Sequence, residues 1–415
     1  MQNEVENLAA SKKEQYKVFA RKYRPQRLQD LTGHDVLVET ITNAINSNRL
    51  HHAFLLTGTR GIGKTTTARI LALSLNCIGE DGQGTSPTAA PCLKCSHCKQ
   101  IMSGSHSDVM EFDAASKTGV DSMREIIDSC VYPPMSARYK VYIIDEVHML
   151  SKAAFNSLLK TLEEPPHNVK FIFATTEMKK VPITIVSRCQ KFVLHNLSVS
   201  ELSQNLKNIC EKEGIEFEDD AIDSIAKMAK GSVRDSLSLL DQIVSSVSSG
   251  IANKNDSGSD NTKTKISAEA VKLALSMPDE IDILSLVHAI LNNDKEKTFE
   301  MTTKISSYNQ DTQYVFGVIS DILSNTLASM FLSSANSASS SNGGANVGSS
   351  QDEEVQEIIR EHAEKLDSIK LLNMIDVIVS SSQEREFLSP SQAMLIMAAK
   401  LMFVANVPKI SDIAL

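Results

Sequence analysis

One glycine-rich segment carries the strongest chemical signal in this sequence, Gly58-Thr-Arg-Gly61-Ile-Gly63-Lys64-Thr65. It matches the G-x4-G-K-[ST] pattern of a phosphate-binding loop. It lies between an apolar run at 53–57 and a helical pattern at 64–75, which is the strand–loop–helix context that such a loop requires. The alternative for the same residues is a glycine-rich structural turn.

Each residue type in this loop has a physical reason to be there. Glycines let the backbone curl so that several N–H groups face the phosphates, and the helix N-terminus adds a favourable dipole. We predict that Lys64 bridges the β- and γ-phosphates of ATP and that Thr65 binds Mg²⁺. The predicted nucleotide contacts are Gly58, Thr59, Arg60, Gly61, Ile62, Gly63, Lys64, Thr65 and Thr66.

An acidic pair ends another apolar run, Val141-Tyr-Ile-Ile144-Asp145-Glu146. At the carboxyl end of a strand, Asp145 would hold Mg²⁺ through water and Glu146 would polarise the attacking water. Alone the pair is a weak signal, because acidic residues often follow strands. Together with a phosphate loop about 80 residues earlier, it predicts a nucleotide hydrolase and not only a nucleotide-binding protein.

Three further polar residues are candidates that also have ordinary structural explanations. Thr176 follows the apolar run 169–173 and either places a hydroxyl between Glu146 and the γ-phosphate or simply ends a strand. Arg188 either completes a neighbouring subunit's site as an arginine finger or is a surface arginine. Arg234 opens a helix and could reach back to the phosphates, which would couple bound nucleotide to the angle of that helix.

Four of the seven cysteines crowd into a short stretch, as Cys92, Cys95 and Cys98 with Cys77 before them. Four soft thiolates suit tetrahedral Zn²⁺, and the Gly/Ser/Thr/Pro-rich segment 78–91 can fold back to bring Cys77 to the others. Such a site is structural, because four protein ligands leave no open position. The alternative is a set of free thiols on a mobile loop.

The elements around these residues alternate short apolar runs with helical patterns, which predicts an α/β doubly wound parallel sheet with ligands at the carboxyl ends of its strands. The chain is all-helical after that. We predict a flexible leader at 1–17, a nucleotide-binding core at 18–187 with a zinc module at about 77–100, a helical lid at 188–247, a linker at 248–264, and a helical domain at 265–415 with a disordered insert at 333–350.

Composition excludes several classes of protein. With a net charge of −9, the chain is not a generally basic nucleic-acid binder, so any DNA contact is expected through local patches or a shared ring. No apolar stretch approaches the ~18 residues of a membrane span. The first residues lack the apolar core of a signal peptide, so the protein is expected to stay in the compartment where it is made.

The motifs occur in an order that closely resembles the gamma/tau family of bacterial DNA polymerase III clamp-loader subunits. The resemblance runs from about residue 18 to 245, and a zinc module inserted between the first helix and second strand of an AAA+ core is its most specific mark. The matching segments beyond those already quoted are Ala20–Pro25, Asp145–His148, Leu159–Pro166, Ala174–Thr176, Ser187–Cys189 and Gly231–Asp235.

This resemblance implies an AAA+ module with a lid, followed by a helical collar that assembles a ring. Thr176 would be the sensor 1 residue, Arg188 the trans-acting finger and Arg234 the sensor 2 arginine, while Tyr23, Arg24 and Pro25 would line the adenine side. The implied cofactors are ATP, Mg²⁺ and Zn²⁺.

The resemblance also implies partners. The ring would be a pentamer of this chain's copies with delta and delta prime subunits. ATP binding would open the beta sliding clamp, and primer–template DNA would trigger hydrolysis and release. No membrane is involved, and the expected place is the cytoplasm, at the nucleoid-associated replisome.

Two departures and three rivals remain. The chain ends at Leu415, so the long tail of tau-type products that binds helicase and polymerase is expected to be absent, and the insert 333–350 has no clear counterpart. Asp145–His148 also fits a DExH helicase, but a helicase needs a second RecA-like domain where this chain is helical. A non-catalytic clamp-loader scaffold is disfavoured by the intact loop, and another AAA+ machine, such as a branch-migration motor, by the zinc module.

Overall fold

The computed structural model describes residues 16–116, 120–248, 265–275, 280–308, 312–336, 368–384 and 388–406. The chain forms two compact units, Met1–Val271 and Lys272–Leu415. Residues 1–15 of the predicted leader, 249–264 of the predicted linker and 337–350 of the predicted insert lie outside the described residues. No helix in the described part of the chain is long and apolar enough to span a membrane.

A five-stranded parallel sheet forms the centre of the first unit, in the order β2-β3-β4-β1-β5. The strands are β1 Ala53–Thr57, β2 Val109–Asp113, β3 Lys140–Asp145, β4 Val169–Thr175 and β5 Gln190–Val193. Each residue of β1 and β4 is buried, as expected for strands covered on both faces. The predicted α/β parallel sheet is therefore confirmed.

The sheet corrects one predicted boundary. β5 pairs in parallel with β1, with Phe54 beside Gln190 and Thr57 beside Val193. The core therefore extends beyond residue 187, where the sequence analysis placed its end. The reason is that the short run after Arg188 completes the sheet edge before the chain turns helical.

Helices cover both faces of this sheet, and alternate strand residues face opposite layers. On β3, Val141 and Ile143 pack in one apolar cluster, whereas Tyr142 and Ile144 pack in the other. The helices are α1 Phe19–Lys22, α2 Asp35–Asn46, α3 Lys64–Asn76, α4 Ser96–Ser103, α5 Val120–Cys130, α6 Lys152–Glu163 and α7 Ile183–Val186. The first cluster contains α2 and α3, and the second contains α6 and α7.

Three helices follow the sheet: α8 Val199–Glu213, α9 Asp219–Met228 and α10 Val233–Ser248. Ser198 and Glu201 form a capping box at the start of α8, and Gly214 ends the helix at a φ of 68°. A short strand β6, Glu216–Phe217, pairs in parallel with β7, Lys265–Ile266, and α11, Ala268–Ala274, comes next. Residues after the predicted linker therefore return to the lid.

The second unit is helical throughout its described residues, as predicted. Its helices are α12 Glu280–Leu291, α13 Lys295–Ser307, α14 Thr312–Asn336, α15 Ser368–Glu384 and α16 Pro390–Ala405, and they share one apolar core. Ser389 caps α16 with Pro390 at its first turn. Helix α14 continues to Asn336, so the predicted disorder from residue 333 starts too early.

Candidate nucleotide site and zinc module

The glycine-rich loop joins β1 to α3 and wraps around the ammonium group of Lys64. Lys64 Nζ donates to the carbonyl oxygens of Gly58 at 2.9 Å and Thr59 at 2.7 Å. Its side chain is buried, and burial lowers its pKa. Gly63 holds a φ of 105° at the start of α3, a conformation that glycine adopts without the cost of a side chain. The lysine charge is therefore held within the curl of the loop.

The two residues predicted to bind Mg²⁺ are in direct contact. Thr65 Oγ1, in the first turn of α3, donates to Asp145 Oδ2, at the end of β3, at 2.6 Å. Asp113 ends the neighbouring strand in register with Asp145 and lines the same cleft. These are hard oxygen donors of the kind that Mg²⁺ prefers. Asp113 was not among the predicted residues, although it ends a strand as Asp145 does.

Glu146 is oriented by donors from the end of β4. Its Oε2 accepts hydrogen bonds from Thr176 Oγ1 at 2.9 Å and from Thr176 N at 3.1 Å. Nδ1 of the buried His148 lies 3.3 Å from the same oxygen and 3.0 Å from Thr175 Oγ1. Glu146 itself has a φ of 47°, an uncommon conformation for a residue with a side chain and one often found at functional sites. Sequence reasoning did not identify His148 as part of this group.

A cleft of about 1310 Å³ opens above these residues, between the loop, the N-terminal segment and the lid. Most of the predicted nucleotide contacts line it, together with the predicted catalytic residues Asp145 and Glu146: Tyr23, Arg24, Pro25, Arg60, Gly61, Ile62, Gly63, Lys64, Thr65, Thr66 and Arg234. Burial lowers the pKa of Arg24, and the nearby charges of Arg69 and Arg234 lower it further. A lining with several cations close together suits a polyanion such as a nucleoside triphosphate.

Arg69 was missed by sequence reasoning, and it is tied to the sheet. Its Nε and Nη2 donate to the two carboxylate oxygens of Glu111 at 2.7 and 2.8 Å. This bidentate pair fixes the guanidinium plane at the rim of the cleft.

The lid touches the phosphate loop directly. Arg234 N, at the start of α10, donates to Gly61 O at 3.1 Å. A Cβ at Gly61 would lie 2.0 Å from Ser232 Oγ, so the loop and lid are in close contact there. Asn196 accepts from Thr59 Oγ1 and donates to Lys230 O at 3.3 Å, which joins the loop to the turn before α10. Asn196 belongs to no recognised sequence motif and was not among the predicted site residues.

The N-terminal segment fastens the other side of the lid. Lys22 Nζ and Tyr23 OH both donate to Glu213 Oε1, at the last residue of α8. Burial and this hydrogen bond raise the pKa of Tyr23 to about 12. Tyr23, one of the residues predicted to line the adenine side, thus also contacts a lid helix.

Arg188 is the predicted residue that stays apart from this assembly. It does not line the cleft of its own chain. Its Nη1 donates to Thr184 O at 2.7 Å, and its Nη2 pairs with Glu163 Oε1 at 2.5 Å. Whatever this arginine does, it does not contact the phosphate loop of its own subunit.

The four clustered cysteines come together as predicted. The Sγ atoms of Cys77, Cys92, Cys95 and Cys98 lie within 4.8 Å of one another. Backbone N–H groups donate to three of them: Cys92 N to Cys77 Sγ at 3.2 Å, Cys95 N to Cys92 Sγ at 3.3 Å and Cys98 N to Cys95 Sγ at 3.4 Å.

The thiols of this cluster differ in their tendency to ionise. Burial opposes ionisation of Cys92, but hydrogen bonds from the backbone of Cys95 and Lys94 lower its pKa to about 7. Burial raises the pKa of Cys77 and of Cys98. Thiolates are the metal-binding form, and zinc supplies the charge that buried thiols need in order to ionise. The donor set fits tetrahedral Zn²⁺.

The zinc module is braced by the segment before β3. The Arg138 guanidinium donates to the carbonyl oxygens of Leu75 at 2.5 Å, Gly84 at 2.8 Å, Thr85 at 3.0 Å and Cys77 at 3.4 Å. The buried Asp108 accepts from the backbone N–H groups of 135–137 at 2.8 to 2.9 Å. Burial opposes its ionisation, yet these donors hold the pKa of Asp108 below its usual value.

A histidine pair connects the two parts. His97 Nδ1 lies 2.7 Å from His106 Nε2, and His106 Nδ1 accepts from Asp108 N at 2.9 Å. His106 Nδ1 is therefore the unprotonated nitrogen, so Nε2 donates to His97. Both histidines are satisfied by neighbouring groups rather than serving as metal ligands.

Comparison with known proteins follows the same division of the chain. Residues 33–198 match the family model described as DNA polymerase III, delta subunit, and residues 201–249 match DNA polymerase III clamp loader subunit, ATPase lid domain. Among solved structures, the Thermotoga maritima RuvB Holliday junction branch migration motor is similar over 65% of this chain and 79% of the RuvB chain. The sequence identity is 20% and the TM-score is 0.44.

Curated relatives are closer in sequence. The chain is 44% identical over 292 residues to DNA polymerase III subunit gamma of Buchnera aphidicola subsp. Acyrthosiphon pisum, covering 70% of this chain and 75% of that protein. It is 41% identical to subunit tau of Escherichia coli K12, covering 70% of this chain and 42% of that one. It is 50% identical to subunit tau/gamma of Haemophilus influenzae, covering 55% of this chain and 32% of that one.

The chain thus spans 32% and 42% of the two longer relatives but 75% of the gamma subunit. The parallel sheet with its phosphate loop lies within the first matched segment, and the three helices that follow the sheet coincide with the matched ATPase lid domain. On this match, the chain belongs to the gamma/tau family of DNA polymerase III clamp-loader subunits.

Proposed function

We propose that this chain is an ATP-hydrolysing motor subunit of the DNA polymerase III clamp loader, which opens the sliding clamp and loads it onto primed DNA during replication. The observation that carries the proposal is the contact of Thr65 with Asp145 beside the Lys64 loop, in a chain of this family. A scaffold subunit would have no need for that arrangement.

Within its own cleft, the chain divides the work among a few residues. Lys64 and the loop backbone bind the phosphates of ATP, and Thr65 and Asp145 are the residues that would hold Mg²⁺. When bound, Mg²⁺ neutralises charge on the phosphates. Glu146 orients the attacking water and accepts its proton, while Thr176 fixes the direction in which the Glu146 carboxylate points.

Two arginines have different tasks. Arg234 lies in the cleft at the start of α10, so it links bound phosphates to the lid. Arg188 is outside the cleft, so we assign it to the neighbouring subunit's site as an arginine finger. The ring is then part of the active site, and the isolated chain should hydrolyse ATP poorly.

The partners follow from the family. We propose that the helical unit joins copies of this chain with delta and delta prime subunits in a pentameric ring, which contacts the beta clamp and primer–template DNA. The four cysteines bind Zn²⁺ as a structural metal. The ring would work in the cytoplasm, at the nucleoid-associated replisome.

Two substitutions test the catalytic part of this proposal. In the assembled ring, Lys64→Ala should abolish nucleotide binding, whereas Glu146→Gln should keep binding and slow hydrolysis by about 10²- to 10⁴-fold. Clamp loading should fail in both. Lys160→Ala, at an exposed position of α6, serves as the control. If Lys64→Ala loads clamps and turns over ATP at the normal rate, the motor assignment is wrong and the subunit is a scaffold.

A further inference from the structure

The side chain of Arg188 is held in place by three contacts from its own chain, the longest of which runs from Nη1 to Ser187 Oγ at 3.4 Å. Nη1 also donates to Thr184 O, in the first turn of α7, and Nη2 pairs with Glu163 Oε1. Nε has no recorded partner among the described residues. The guanidinium is therefore tethered at two nitrogens and keeps a third donor for an incoming anion.

Glu163 stands where a carboxylate is unfavourable for the helix that carries it. It is the last residue of α6, at the negative end of the helix dipole, and the acidic Glu164 follows it directly. Arg188 is the cation recorded within ion-pair distance of Glu163 in the described part of the chain. The ion pair with Arg188 therefore favours a carboxylate at this position, whereas the stability of the helix does not.

Glu163 is also set on a rigid support. The preceding residue, Leu162, is 1% exposed, and Leu158 and Phe155 on the same face of α6 are buried in the core. The Glu163 side chain itself is 51% exposed and that of Arg188 is 32% exposed. A fixed backbone thus carries a surface carboxylate that reaches the arginine without burying it.

We propose that Glu163 is a positioning residue for Arg188, holding its guanidinium in the orientation in which it meets the neighbouring subunit's γ-phosphate. This rests on the proposed function, in which Arg188 acts in trans. Glu163 touches neither ATP nor the reacting atoms. It acts by reducing the orientations that a long, half-exposed side chain would otherwise sample before it engages the neighbour.

The test uses the ring reconstituted with its partner subunits, clamp and primed DNA, and compares Glu163→Gln with Glu164→Gln. Glutamine keeps the shape of the side chain and removes its charge. Since exposed ion pairs contribute modestly, Glu163→Gln should lower kcat about 2- to 5-fold, with KM for ATP and the melting temperature unchanged. Glu164→Gln should leave kcat as it is, because no partner of the Glu164 side chain is recorded in the described residues and its backbone contact to Lys160 O is unchanged.

Adding Arg188→Ala separates the possible outcomes. If Glu163 acts through Arg188, Glu163→Gln should cause no further loss of kcat in the Arg188→Ala background. An equal loss in Glu164→Gln, a rise in kcat, or an independent loss in the double variant would overturn the positioning role. If Arg188→Ala alone loses hydrolysis while Glu163→Gln matches wild type, only this inference fails. If Arg188→Ala loses nothing, the trans finger fails with it.

Discussion

Replacing Gly61 by alanine should show that the phosphate loop and the lid are mechanically connected. Gly61 has a φ of 81°, and a Cβ built there lies 2.0 Å from Ser232 Oγ. Ser232 Oγ accepts from Asp235 N at 3.2 Å and so caps α10. An alanine at this position would therefore strain the loop and push the cap away at the same time.

The magnitude has two parts. A side chain in the left-handed region costs about 1–2 kcal/mol. Rotating Ser232 away from its capping position costs about 1 kcal/mol. Gly61→Ala should thus destabilise the nucleotide-free first unit by about 2–3 kcal/mol. Gly63→Ala is the matched control, since its φ is 105° but its Cβ would meet no atom within 4 Å, so only the strain remains.

Hydrogen exchange of the slowest amides of β1 and β4 measures this loss, because those amides report unfolding of the unit that contains the sheet. The expected acceleration is roughly 30- to 150-fold for Gly61→Ala and roughly 5- to 30-fold for Gly63→Ala, at 1.4 kcal/mol per tenfold. Ser232→Ala alone should cost about 1 kcal/mol.

The double variant Gly61→Ala/Ser232→Ala tests whether the two residues are in contact in solution. Because the Gly61→Ala methyl already displaces the cap, adding Ser232→Ala should cost nearly nothing more. If the two effects simply add, or if Gly61→Ala behaves like Gly63→Ala, then Ser232 does not touch the loop in solution and the reasoning about the lid is refuted.

Three other results are expected. Asn196→Ala should weaken ATP binding several-fold without changing zinc content, because it removes the link between Thr59 and the turn before α10; unchanged affinity in a nucleotide titration would contradict this. Chelating the metal should speed hydrogen exchange in 75–85 and 135–139 but not in α6, since Arg138 bonds the carbonyl oxygens of 75–85 and Asp108 holds the adjoining amides of 135–137; identical exchange with and without metal would show that these segments do not depend on the metal site. Asp108→Asn should cost about 1–3 kcal/mol in thermal unfolding, because an amide replaces a carboxylate that accepts three backbone donors; a loss below a few tenths would contradict the buried network.

The parts of the site that sequence could reveal are those written in consecutive residues. The loop from Gly58 to Thr65 and the pair Asp145-Glu146 each follow an apolar run, so their position at the edge of a parallel sheet follows from strand order alone. The cysteine cluster is similar, because the close spacing of its cysteines along the sequence is enough to predict a metal site. In each case the pattern of neighbouring residues is enough to predict where the segment lies in the fold.

The parts that sequence could not reveal depend on partners far along the chain. Asn196 meets Thr59, 137 residues earlier, and Arg138 meets Leu75, 63 residues earlier. Glu163 and Arg188 are 25 apart and lie in different helices or their ends. A single polar residue in a helix end or a turn belongs to no repeating sequence pattern, so nothing in the sequence indicates its distant partner. The misplaced boundary at 187 has the same cause, since only pairing with β1 shows that β5 belongs to the sheet.

The most direct test of the central claim is ATP turnover by this chain alone and in the ring reconstituted with its partner subunits, with and without clamp and primed DNA. The chain alone should turn over ATP slowly, because its own cleft lacks Arg188, and the ring should be stimulated strongly when both clamp and primed DNA are present. Turnover that is equally fast in the isolated chain, or a ring that ignores clamp and primed DNA, would contradict it.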